Sequence, residues 1–283
     1  MMIRCTVTQF TTDRSLPPAE LAVAVETRGL DGIFFPEHTH LPVASRSPFF
    51  AGGILPEPYR RTSDPFVALA MAAAVTQRIR LGTGICLLTE HDPITLAKTV
   101  ATLDHLSGGR VTLGVGAGWN REELANHGTV YERRWAVLRE RVQAMRTIWR
   151  EEEPEFHGEF VDFGPMWSFP KPLQKGGPPI WIGANSPQVP DRVADYADGW
   201  MPIRGRGNGE DLARLRAACE RRGRRFEDLQ VALFYAPEDE SDCAAYALQG
   251  YSELIFALPS GDREAVLPKL DQIASLAARL RAG

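Results

Sequence analysis

Several short patches of this chain hold residue types that do chemistry, at spacings that keep them together. The first is Glu37-His38-Thr39-His40, directly after an apolar run and Pro36. An imidazole titrates near neutral pH, so His38 can hydrogen-bond a ligand and move a proton. Two other readings stay open: histidines two apart can share a metal ion, and a histidine can be purely structural. The metal reading needs further histidine and aspartate ligands, yet later apolar runs end in Trp181-Ile182-Gly183, Trp200-Met201-Pro202 and Ala257-Leu258-Pro259. The expectation is therefore no bound metal.

The second kind of patch is glycine-rich. Arg110 to Val115 reads as a buried strand running into Gly116-Ala117-Gly118-Trp119. Trp119 stands where a dinucleotide fingerprint would place its third glycine, which argues against NAD in a Rossmann crevice. Gly183-Ala184-Asn185-Ser186 opens from another strand before a helix, where backbone amides, the Asn185 amide and the Ser186 hydroxyl can hold a phosphate. Gly82 and Gly84 interrupt a third strand pattern, Ile79 to Leu88. Glycines there serve a bulge, a closely approaching ligand or a crowded interior, and this segment does not choose among them. Arg204-Gly205-Arg206-Gly207-Asn208-Gly209 is either a solvated turn or a site where guanidinium forks meet an anion.

These patches need a scaffold, and the alternation of apolar runs supplies one. Strands are predicted at Ile3 to Phe10, Gly32 to Phe35, Ile79 to Leu88, Arg110 to Val115, Pro179 to Gly183, Gly199 to Ile203, Leu229 to Tyr235 and Glu253 to Leu258. Helical patterns follow each in turn, at 17–28, 65–76, 93–106, 135–149, 189–196, 210–222, 239–248 and 263–281. Pro65 and Pro93 suit first helical turns, with Asp64 and Asp92 as N-caps. Eight strand-helix units in 283 residues predict a single α/β domain, a (β/α)8 TIM barrel spanning 1–283. Insertions are expected after strand two, at 37–63, and before strand five, at 151–178. The first carries Phe49, Phe50 and Tyr59 and is expected to act as a lid over the mouth; the second contains a hairpin-like alternation over 156–163.

Composition narrows the partners. The chain is 44% hydrophobic with a net charge of −4, so neither nucleic acid nor an anionic membrane is an expected partner. Cys5, Cys86, Cys219 and Cys243 lack metal-ligand spacing and read as reduced, buried thiols of a cytoplasmic protein. Charges interrupt every apolar run, and the first residues lack a signal-peptide core.

Taken together, several motifs resemble the luciferase-like monooxygenase superfamily, especially its branch dependent on the deazaflavin coenzyme F420. They are Leu30-Asp31-Gly32-Ile33-Phe34-Phe35-Pro36-Glu37-His38, Arg80-Leu81-Gly82-Thr83-Gly84-Ile85, the passage from Thr102 to Trp119, Pro178-Pro179-Ile180-Trp181-Ile182-Gly183, and Ala197-Asp198-Gly199-Trp200. The resemblance implies a TIM barrel and a cofactor ring stacked on a bulge with a cis peptide at Gly84-Ile85. It places the cofactor phosphate near Gly116-Ala117-Gly118 and Gly183-Ala184-Asn185-Ser186, and it counts Glu37 and Trp119 in the cofactor wall. It makes His38 the catalytic residue beside the reacting ring, and it implies a homodimer. Some relatives carry an acid where this chain has Trp119, so their proton donor does not transfer, although Glu122 and Glu123 follow closely.

The activity so implied is hydride transfer between F420 and a small organic substrate. An FMN-dependent monooxygenase activating oxygen is the alternative enzyme, and a non-catalytic cofactor-binding barrel the alternative of another class. On the substrate side, Phe10, Phe49, Phe50 and Trp119 suggest an apolar body, and Arg204, with Arg206, an anionic group.

Overall fold

The computed structural model describes residues 3–49, 52–207 and 209–282. The chain opens with β1 (Arg4–Thr8), β2 (Gly32–Phe35), β3 (Arg80–Thr83) and β4 (Val111–Val115). A short hairpin of β5 (Phe156–His157) and β6 (Asp162–Phe163) intervenes before β7 (Ile180–Ile182), β8 (Gly199–Trp200), β9 (Gln230–Phe234) and β10 (Glu253–Ala257). The strands other than the hairpin pair in parallel with their sequence neighbours, and β10 closes on β1 to complete a barrel. Parallel neighbours require crossovers, supplied by α1 (Pro18–Thr27), α2 (Pro65–Val75), α3 (Pro93–Ser107), α4 (Arg121–Asn126) and α5 (Arg134–Arg150). The second half uses α6 (Val189–Tyr196), α7 (Asp211–Arg221), α8 (Glu240–Gln249) and α9 (Arg263–Ala282). This is the predicted (β/α)8 barrel.

Local chemistry sets the boundaries. Asp64 and Asp92 each accept the N–H of the third helical residue, from Val67 and Thr95, with proline at the first position. Apart from β2, the barrel strands are shorter than their apolar runs, and two stop well short of them. The ladder of β3 stops at Thr83, followed by a cis Gly84–Ile85 peptide and a single 3₁₀ turn over Leu88–Glu90. The run from Gly199 to Ile203 pairs only at Gly199 and Trp200, because Pro202 has no N–H to donate; Ile203 returns as an isolated bridge to Phe234. Both shortened ends lie at the barrel mouth.

Inside the barrel, Phe34, Trp181, Met201, Ala232, Phe234 and Ile255 form a small buried cluster, while a larger apolar layer fills the space between strands and helices. The interior is crowded enough to need glycine. A Cβ on Gly82 would lie 2.5 Å from the Phe34 ring, and one on Gly199 would lie 2.5 Å from Trp181. A Cβ on Gly114 would lie 2.1 Å from the Thr83 carbonyl oxygen, which is backbone and cannot swing aside. Gly114→Ala is therefore expected to cost about 1–3 kcal/mol of stability, read as a lower thermal midpoint with an unchanged far-UV spectrum.

The N-terminal end of the barrel is plugged by charge. Glu253 is fully buried and accepts hydrogen bonds from Thr6 and Arg80, with Arg4 Nε 3.6 Å away. Arg80 also lies over Trp181, 5.4 Å from the ring centre. The cavity lined by the loops lies at the other end. Outside the barrel, α2 leaves Val67, Met71 and Val75 exposed. Among the described residues no helix is long and apolar enough to cross a membrane.

Candidate functional site

The C-terminal end of the barrel encloses a cavity of about 240 Å³. Its sides come from successive strand ends: Pro36, Glu37 and His38 after β2; Gly84, Ile85 and Leu87 after β3; Ala117, Gly118 and Trp119 after β4; Gly183, Ala184 and Asn185 after β7. Met201, Ile203 and Arg206 follow from β8, and Phe234 and Tyr235 from β9, with Phe10, Tyr59 and Trp135 completing the rim. Most of the residues expected from the sequence thus meet in one place. Gly116, Ser186, Phe49 and Arg204 lie outside this lining, and Phe50 is outside the described residues.

The glycines at the strand ends also make room for a neighbouring side chain. The Gly116 N–H donates to the Cys86 carbonyl at 2.9 Å and the Gly183 N–H to the Val115 carbonyl at 2.9 Å, so neither is free for a phosphate. Their missing side chains make room for Ile85: a Cβ on Gly116 would lie 1.9 Å from Ile85 Cδ1, and one on Gly183 would lie 2.4 Å from Ile85 Cγ2. Ile85 is laid across these two glycines as an apolar shelf at the cavity floor. The orphan amides lie one residue further on, where the N–H groups of Ala117, Gly118, Ala184 and Asn185 meet no protein acceptor among the described residues. The Asn185 side chain is not free either, since its Oδ1 accepts the Ile203 N–H at 2.9 Å.

His38 is buried, and its Nδ1 lies 3.0 and 2.9 Å from the two oxygens of the buried Glu123. That bond commits Nδ1, and His38 lines the cavity. His38 packs against Tyr59 and edge-on against Trp119, at ring separations of 5.4 and 5.9 Å. Glu123 stands in the first turn of α4, whose N-cap Asn120 accepts the N–H groups of Glu122 and Glu123. This helix is absent from the sequence reading. Asn120 followed three residues later by Glu123 is a helix-start signature that marks it. Glu122 faces the other way and accepts from the Ser45 and Ser47 hydroxyls and the Arg46 N–H, which holds its carboxyl down at about 2 and docks the long insertion on α4.

Behind the dyad lie two more acid–imidazole pairs. Glu37 accepts the Leu87 N–H at 2.6 Å and sits 2.8 Å from His91 Nε2, so its carboxylate shapes the turn after β3 where that turn meets the cavity. Burial alone would lower the pKa of His91, but the Glu37 partner outweighs it and raises the net value. Glu37, Cys86 and His91 each place one donor within 4.8 Å of the others. They are a poor metal set, because burial and then Glu37 hold the Cys86 thiol neutral, well above its ordinary pKa, and the Glu37 oxygens already have partners.

Glu90 is the third acid, 3.6 Å from His127 Nε2 and 3.4 Å from the Thr39 hydroxyl. Burial, then the negative charges of Glu123 and Glu37, push it up to about 9. Its folded-state pKa exceeds the unfolded one, so the folded protein binds more protons between about pH 4.5 and 9 and loses stability as pH rises through that window. Glu90→Gln, which mimics the neutral acid, is expected to flatten this decline and to stabilise by a few kcal/mol at pH 9 while changing little at pH 4. Thermal melts across pH test it; parallel wild-type and variant curves would refute it.

Beside His38, the Tyr59 hydroxyl is hydrogen-bonded to that of Tyr235. Tyr235 has φ +60°, a left-handed conformation rare for a bulky residue and worth about 1–3 kcal/mol of strain. Arg204 Nε holds the Tyr235 carbonyl at 2.9 Å, so Arg204 supports the wall while Arg206 lines the cavity. Phe49 packs on Tyr59 and Trp119 as a second layer. Tyr235 carried no motif: in the sequence it is the last residue of a predicted strand.

The chain matches known proteins over most of its length. Residues 15–278 fit the family described as luciferase-like monooxygenase. The chain belongs to that family. Among its luciferase-like relatives, an uncharacterised Mycobacterium tuberculosis protein is 43% identical over 270 residues, covering 94% of this chain and 95% of that one. The F420-dependent glucose-6-phosphate dehydrogenase of Mycolicibacterium fortuitum is 30% identical over 241 residues, covering 78% of this chain and 65% of that protein. Among solved structures, an F420-dependent secondary alcohol dehydrogenase bound to an F420–acetone adduct superposes with a TM-score of 0.79 at 15% identity, covering 99% of this chain and 100% of that one. A monooxygenase from Streptomyces bottropensis gives 0.77 at 20% identity, covering 98% and 99%. These two likenesses establish the barrel fold and nothing finer.

Proposed function

We propose that this chain is an F420-dependent oxidoreductase that transfers a hydride between the deazaflavin ring and a small, largely apolar organic substrate. The observation that carries the reading is the His38–Glu123 dyad on the wall of an apolar cavity floored by Ile85. The residues present fit such a cofactor: a flat apolar shelf at Gly84 and Ile85 for a ring, and the orphan amides of Ala117, Gly118, Ala184 and Asn185 for its phosphate. When bound, F420 accepts or donates the hydride.

The protein's own part is positional and protic. Glu123 accepts the proton on His38 Nδ1, which fixes the ring and directs Nε2 into the cavity to give or take a proton at the substrate oxygen. Phe10, Tyr59 and Trp119 pack the substrate against the shelf and exclude water. The insertion held by Glu122 closes over them. A homodimer belongs to the same reading, supported by the apolar outer face of α2.

A fluorescence-quenching titration with F420, run beside FMN, tests the proposal. Saturable quenching by F420 is expected; saturation by FMN with none by F420 would replace this reading with that of a flavin monooxygenase. Binding of F420 without turnover across alcohols, ketones and enones would point instead to a non-catalytic barrel.

A further inference from the structure

Two arginines beside the cavity form no ion pair among the described residues. Arg192 on α6 lies over the Trp135 ring, 4.1 Å from its centre, and its Nη1 donates to the Ser186 hydroxyl at 3.3 Å. Arg134, adjacent to Trp135, stacks on Tyr131 at 3.6 Å, and Arg121 lies 3.8 Å from the same ring. Glu132 pairs with Arg121, while Asp191 is taken by Arg221 and Arg222, and Asp195 by Arg139. Among the described residues, no carboxylate forms an ion pair with Arg134 or Arg192. Arg134 also buries an Nε with no acceptor. Burial lowers the pKa of both groups, and the charge of Arg134 lowers that of Arg192 further. The contrast is Arg4 and Arg80 at the N-terminal end of the barrel, which share Glu253.

A half-buried guanidinium that forms no ion pair is a ready partner for an anion. The location says which anion. Trp135 lines the cavity on one side and carries Arg192 on the other, so the guanidinium groups continue the site outward from the loops after β4 and β7. A cavity of about 240 Å³ takes a fused ring system but not the tail attached to it.

We propose that Arg134 and Arg192 form a separate subsite for the carboxylates of a cofactor tail, beyond the phosphate held at the strand ends. The subsite rests on the deazaflavin reading and deepens it. F420 carries a phosphodiester followed by glutamyl carboxylates, whereas FMN ends in one phosphate. Guanidinium forks suit carboxylates bidentately, so the pair selects the longer, more acidic tail.

The test is a set of equilibrium titrations of the apoprotein, followed by fluorescence, with three probes: F420, its deazaflavin riboside lacking the phosphodiester and glutamyl groups, and FMN. The proteins are wild type, Arg134→Gln, Arg192→Gln and the double variant, each checked for an unchanged circular-dichroism spectrum and thermal midpoint. Each single change is expected to weaken F420 about 5- to 10-fold and the pair about 30-fold or more, with a shallower salt dependence. Riboside affinity should stay within about twofold. F420 affinity unchanged in the double variant overturns the subsite. Equal losses for F420 and FMN overturn the tail assignment, because the arginines would then serve a phosphate alone. Equal losses for the riboside show an indirect structural effect and also overturn it. Wild-type protein that binds FMN but not F420 refutes the cofactor reading itself, a separate result from any of these.

Discussion

Replacing His38 with alanine is expected to lower turnover about 10²–10⁴-fold while leaving F420 affinity within about threefold. His38 touches the cavity through one edge of its ring, and its Nδ1 is committed to Glu123. Its removal therefore takes away a proton-transfer group but little of the apolar surface that would bind a ring. Glu123→Gln separates orientation from proton transfer. The carboxylate can only accept from Nδ1, whereas an amide can also donate to it and so place the imidazole proton on the wrong nitrogen. That variant should retain F420 binding, lose about 10- to 100-fold in turnover and shift the pH profile. A purely structural His38 predicts the opposite pattern: lower stability and weaker cofactor binding, with turnover per bound cofactor preserved. Stopped-flow measurement of deazaflavin fluorescence at saturating cofactor distinguishes the two.

The barrel is legible in the sequence because its signal is repeated. Each apolar strand is followed by a helix with its own start, and Asp64-Pro65 and Asp92-Pro93 act as caps in the structure as their types suggest. His38 is legible because few residue types do proton chemistry at neutral pH and this one follows a strand. Its partner is less so. Glu123 lies 85 positions away on a helix of six residues, too short for an apolar period, and only the Asn120 capping pattern betrays it. Tyr235 and Trp135 have no local signature, because what brings them to the mouth is barrel closure. Arg204 and Arg206 show the same limit at finer scale: both were candidates for an anion, and backbone direction sends one to the Tyr235 carbonyl and the other to the cavity.

The glycine run carries the second large expectation, because the reason for its composition differs from what the pattern suggests. Gly116 leaves space that Ile85 occupies, and its amide is bonded to Cys86. In Gly116→Val, the new Cβ would lie 1.9 Å from Ile85 Cδ1, and the branched methyl groups would extend the overlap. Ile85 cannot retreat toward β7, because Gly183 already accommodates its other methyl group at the closest approach a missing Cβ allows. The side chain must turn up into the cavity, over the shelf proposed for the ring. Overpacking of this kind costs about 1–3 kcal/mol; charged to binding, that is about 5- to 150-fold in F420 affinity. Gly116→Ala, with a single methyl group, should lie between wild type and valine. If Gly116 instead served the phosphate through its amide, neither substitution would touch the ring site, and the tail-less riboside would bind both variants as tightly as wild type. If Ile85 is displaced, the riboside and F420 lose affinity together. Titrating both ligands against both variants decides which role the glycine has.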